Sequence, residues 1–175
     1  KKYLGVGLLL FAGFIYMGSL RAQGVINQDS LKMAHGRLMS KSSSYFSAYK
    51  SEIDSRIKKT ERMAGAGAKD TSGAKSLIKL YQADSSFYQT VIYKGDSLLQ
   101  KLQAHDKEVG ETMQKGDQAS KFLMENEEKM DKVKSVLNYA KDVAKQVDKR
   151  LKSSNGELQE MRDYNAKQEK KKQKK

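Results

Sequence analysis

The chain has 175 residues, a formal net charge of +13, 38% hydrophobic and 31% charged residues, and no Cys, Pro or Trp. Without Cys there is no disulfide framework and no thiolate metal site. So modest an apolar fraction beside so much charge excludes a thick core and points to long helices that each bury one stripe. The charge is uneven: the segment after Tyr164 carries six Lys and one Glu, and Lys1, Lys2 and Arg21 lie at the other end. The body between them is mixed in sign, which describes a solvated rod rather than a uniformly basic surface.

Lys1-Lys2 precedes an unbroken apolar run from Tyr3 to Leu20, closed by Arg21-Ala22-Gln23-Gly24. Two expectations compete for residues 1–24. A retained transmembrane anchor needs about 17 or more apolar residues, which this run supplies. A cleaved signal peptide needs a basic start, a shorter apolar core and a small-residue exit, and Ala22-Gln23-Gly24 offers that exit. Lysines at the start favour a cytoplasmic N-terminus and hence an extracytoplasmic, periplasmic body.

Three periodic stretches follow in 25–164. The first covers about 29–63, where Leu31, Ala34, Leu38, Tyr45, Tyr49, Ile53 and Ile57 recur at helical spacing. Asn27 or Asp29 can cap its start, and the serines at 40–44 are a weak point. The glycine-rich stretch from Ala64 to Gly73 reads as a linker.

The second covers about 73–114. One row is Ala74, Tyr81, Tyr88, Gly95, Leu102 and Val109; its companion is Leu77, Asp84, Val91, Leu98, His105 and Thr112. Together they form a heptad seam weakened at Asp84, Gly95 and His105. Gly116-Asp117 marks a stop and a new start.

The third covers 118–152 or beyond. Leu123, Met130, Leu137, Ala144, Leu151 and Leu158 form one row; Asn126, Val133, Ala140, Val147, Ser154 and Met161 form the other. Phe122, Val136 and Val143 widen this face, which suits a bundle of three or more helices. A break is expected at 153–156 and a disordered lysine-rich tail over 165–175. The fold class is therefore all-α: an N-terminal membrane-targeting helix, then an elongated antiparallel three-helix, coiled-coil-like bundle.

No motif carries catalysis. Ser-x-x-Lys begins at Ser47, Ser55, Ser72 and Ser76, about as often as chance supplies it, without the partner motifs of acylating enzymes. Gly67 to Ser76 lacks the glycine spacing and preceding strand of a phosphate loop. His35 and His105 are the only histidines; His105 falls on the second seam with no acidic partner fixed by sequence and reads as a hydrogen-bonded, partly buried residue rather than a metal ligand. Glu125, Glu127 and Glu128 suit the positive end of the third helix. Tyr45, Phe46, Tyr49, Phe87, Tyr88 and Tyr93 could stack bases, but their positions favour core packing, and nucleic acid is not expected.

The expectation is thus a non-enzymatic, membrane-anchored extracytoplasmic scaffold or interaction subunit, with no cofactor. Leu137, Ala144, Val147 and Leu151 form its expected seam for a protein partner or a second copy. Lys167, Lys170, Lys171, Lys172, Lys174 and Lys175 form a tail with two expected roles, a solvated terminus or electrostatic docking on an anionic envelope surface. The alternative is an exported soluble basic binder or holdase-type chaperone, released by cleavage near Ala22 or Gly24.

Overall fold

A computed structural model gives three helices: α1 (Leu4–Gly65), α2 (Thr71–Thr112) and α3 (Asp117–Lys172). It describes side chains over 28–68, 70–113 and 116–173; over 4–27 it describes only the helical backbone. The expected anchor or signal segment, 1–24, thus lies outside the fully described residues. Among the described residues no helix is long and apolar enough to cross a membrane.

The helices form an antiparallel bundle. Tyr45 of α1 meets Val91 of α2, and Thr60 meets Asp84, so the two run in opposite senses. Asn126 of α3 meets Leu102 of α2, and Asp148 meets Ser85, with the same result. The turn before α2 is closed by Gly67 at φ +67° and by Asp70, whose carboxylate accepts from the Gly73 amide at 2.7 Å. Only a residue without Cβ takes that φ freely, and the Asp cap satisfies an amide the helix leaves open.

The second helix follows its pattern closely. Both rows are buried from Ala74 to Val109, and only Thr112 is half-exposed. In α3 the two rows are unequal. Asn126, Val133, Ala140, Val147 and Ser154 are buried, whereas Leu123 is exposed and Met130, Ala144 and Leu151 are half-buried. The flanking Phe122, Val136 and Val143 are buried instead. A third helix draws the seam toward that flank, as a wide apolar face requires.

The main core joins Ile53, Tyr81, Val91, Leu102, Val133 and Ala140. Leu31, Val109, Ala119 and Phe122 close one end; Ala74, Ile78 and Leu158 close the other. Burying a side chain such as Leu102, which is wholly enclosed, contributes roughly 1.5–3 kcal/mol. The most extensive pairing is between α2 and α3.

Two expected weak points do not interrupt the helices. Ser42 is buried and donates to the Leu38 carbonyl at 2.8 Å, so its hydroxyl is satisfied inside the helix. At 153–156, where a break is expected, α3 continues. Asn155 donates back to the Leu151 carbonyl at 2.9 Å, and buried Leu158 packs on α2 just beyond, holding the helix across that stretch. The tail, expected to be disordered, continues as helix to Lys172. Lys, Gln and Glu are good helix formers, and the last-turn lysines complement the negative end of the dipole.

Candidate functional site

The groove where α1 seats on α2 and α3 holds two clusters of polar side chains. The first lies in the middle of the rod. Asp84, 1% exposed, occupies a seam position of α2. A bare carboxylate there would be costly. Arg56 Nη1 donates to Asp84 Oδ1 at 3.0 Å, and Thr60 donates to Oδ2 at 2.5 Å. Arg56 Nε also donates to Glu52 at 2.8 Å, and the guanidinium lies 4.0 Å over the Phe87 ring. Beside this set, Tyr88 is pushed up to about 12 by burial and then by the Asp84 charge. Among the described residues, no buried side-chain polar atom of this cluster lacks a partner.

The second cluster lies near the α2–α3 turn. His35, His105 and Glu125 come from α1, α2 and α3 in turn. Glu125 accepts from His35 Nε2 at 2.8 Å, and His35 Nδ1 lies 3.0 Å from His105 Nε2. The His35 ring also stacks on Phe122, with centroids 3.9 Å apart. Both histidines are buried, while Glu125 is partly exposed. A carboxylate only accepts, so His35 Nε2 carries a hydrogen. In the neutral pair, His35 Nδ1 is bare and accepts from His105 Nε2–H. His105 Nδ1 is then a buried nitrogen without a hydrogen-bond partner.

Electrostatics follow from that placement. Burial lowers the His105 pKa, the neighbouring His35 lowers it further, and Glu108 and Asp106 pull it back up. The hydrogen bond from His35 lowers the Glu125 pKa, with help from Lys121. Next to them Asn126 donates to the Leu102 carbonyl at 2.7 Å and to Asp106, and its own buried oxygen has no partner. Chemically this is a proton-bearing chain from a solvent-touching carboxylate to a buried imidazole. The two histidines and Glu125 do not converge on a single point, because Glu125 and His105 take opposite nitrogens of His35. No group of three or more His, Cys, Asp or Glu among the described residues could hold a metal ion.

The expected partner seam lies inside the molecule. Leu137 and Val147 are buried, and Ala144 and Leu151 are half-buried against the same core, so α1 and α2 already fill the space assigned to a partner. The α1 stripe, half of it polar, still closes the bundle. In the tail, Lys167, Lys170, Lys171 and Lys172 are exposed along the end of α3, while Lys174 and Lys175 lie outside the described residues. Of the aromatic set, Tyr45 and Tyr88 are buried, and Phe46, Tyr49 and Phe87 are packed half-buried against the core. Tyr93 alone of the six stands in solvent, 75% exposed. Ser47, Ser55, Ser72 and Ser76 are all exposed. Glu127 and Glu128 are exposed as well, and Glu128 pairs with Lys132.

The sequence marks both histidines and Glu125 but not their meeting. Asp84 stands in it as a flaw in the seam, with no pointer to Arg56 or Thr60. The signal was present: His35 follows Leu31 by four residues, and Arg56 and Thr60 follow Ile53 by three and seven, so all three continue the buried stripe of α1.

No family model, no curated protein and no solved structure matches the chain.

Proposed function

We propose that the protein is a non-enzymatic, membrane-anchored extracytoplasmic scaffold or interaction subunit of a membrane-associated assembly. The observation that supports this reading is the continuity of α1, a single helix from Leu4 to Gly65. Its C-terminal half is a wall of the bundle, so a tether at its start would orient the whole rod. At 42 residues, α2 alone makes that rod about 63 Å long. Because the seam at Leu137, Ala144, Val147 and Leu151 serves the bundle itself, partners meet the exposed surface. Met33, Leu123 and Met124, all exposed apolar residues, lie toward the end where α1 enters. The lysines of the α3 end would sit far from the tether, where each contributes up to about 1 kcal/mol on an anionic surface.

The test is the intact mass of the protein in membrane and soluble fractions of its source cells. A full-length mass in the membrane fraction, with crosslinks from the body to neighbouring proteins, supports the scaffold. A soluble form that begins near Gln23 or Val25 overturns it in favour of an exported binder.

A further inference from the structure

Away from both polar clusters, α1 and α2 leave an outward-facing groove of roughly 410 Å³. That volume is typical of small-molecule sites, which are mostly apolar with a few placed polar groups. Tyr45, Ala48, Tyr49 and Leu98 give it an apolar floor. Ser44 and Ser97 are small, so the space above that floor stays open. Lys41, Lys94 and Lys101 stand around it, and no carboxylate lines it. None of these three lysines pairs with an acid among the described residues, whereas Lys32, Lys121 and Lys141 each do. The nearby Asp96 is taken by Lys141 of α3.

The slot is elongated. Its walls run from Lys41 to Tyr49 on α1 and from Tyr93 to Lys101 on α2, eight residues of rise, or about 12 Å. The helices are antiparallel, so Lys41 and Lys101 share one end and Lys94 the other. Lys94 is held there, donating to the Tyr49 hydroxyl at 2.9 Å. We propose that this groove binds a single-chain anionic amphiphile, its charged head between Lys41 and Lys101 and its apolar body along Tyr45, Ala48, Leu98 and Tyr49. The charge of the rim selects an anion, and the narrow apolar floor selects an extended body. This inference does not depend on whether the protein is anchored.

Laurate is a suitable probe, added to the full chain below its micelle concentration, with lysine acylation read by mass spectrometry. At laurate about ten times above Kd, acylation at Lys41 and Lys101 should slow about tenfold. Lys79 and Lys152, exposed and also without an acidic partner, should react unchanged. The uncharged alcohol of equal chain length should protect neither pair. Ala48→Phe fills the slot from an exposed position without altering charge, and it should abolish protection while leaving the helical content intact. Equal protection of all four lysines would overturn the proposal, as would protection that survives Ala48→Phe.

Discussion

Arg56, Thr60 and Asp84 form a closed set in which every buried polar atom has a partner, whereas His35, His105 and Glu125, on the same groove of α1, leave one buried nitrogen open. The first set joins a guanidinium to a carboxylate across α1 and α2. The second contains two imidazoles, and burial lowers the pKa of one of them, His105. The contrast teaches that α1 is held in two ways. Its C-terminal half is clamped by an ion pair that contains no imidazole. Its half near Leu31 is held by a buried imidazole pair whose His105 resists the proton, so acid works against it. The α2–α3 pairing, built on Val91, Leu102, Val133 and Ala140, depends on neither.

Breaking the closed set should have the largest effect. Arg56→Ala leaves the Asp84 carboxylate buried with only Thr60 to serve it, and should cost about 3–5 kcal/mol in urea unfolding. A loss near zero would mean that the set contributes nothing to seating α1.

A packing change between the clusters comes next. A Cβ at Gly95 would collide with the Tyr45 hydroxyl and crowd Leu137. Tyr45 is fixed there, donating to the Val91 carbonyl at 3.0 Å, so it cannot simply swing away. Gly95→Ala should therefore cost about 1–3 kcal/mol. It should do so equally at neutral and mildly acid pH, since it touches neither cluster.

His105→Leu should cost the least, about 1 kcal/mol at neutral pH, by leaving His35 Nδ1 without its donor. Its larger consequence is on pH dependence. The folded pKa of His105 lies below its ordinary 6.5, so the unfolded chain takes up the proton first. Stability from this group is complete above 6.5 and is lost as pH falls from there toward the depressed folded value. The wild-type urea midpoint should drop across that window, and His105→Leu should flatten the drop. Glu125 acts lower: its carboxylate pKa is depressed, so its contribution is lost only as pH falls below 4.5. An equally steep slope in His105→Leu would remove His105 from the account of acid sensitivity.

Much of this architecture was legible from periodicity. The second helix was nearly complete in its two rows, because an α-helix between two neighbours buries one wide stripe and the sequence must supply it. Even its flaws were informative: Asp84, Gly95 and His105 interrupt the seam, and each meets a specific side chain of α1. What the sequence hid was the register between helices. Nothing local tells that position 35 lies level with 105 and 125, or 56 with 84. The expected break at 153–156 failed for a related reason, since Leu158 is held by Ala74 and Ile78, residues about eighty positions away in the chain. Leu137 and Val147 are buried and Ala144 and Leu151 half-buried in a core that α1 and α2 share.

The most direct test of the contrast between the two clusters is amide hydrogen exchange along α1, compared at about pH 7.5 and about pH 5.5 after correction for intrinsic rates. The expected result is a loss of protection at mild acid confined to residues 31–42, around His35, with 49–60, around Arg56, unchanged. Equal loss along the whole of α1, or protection around His35 that does not respond to pH, would contradict it.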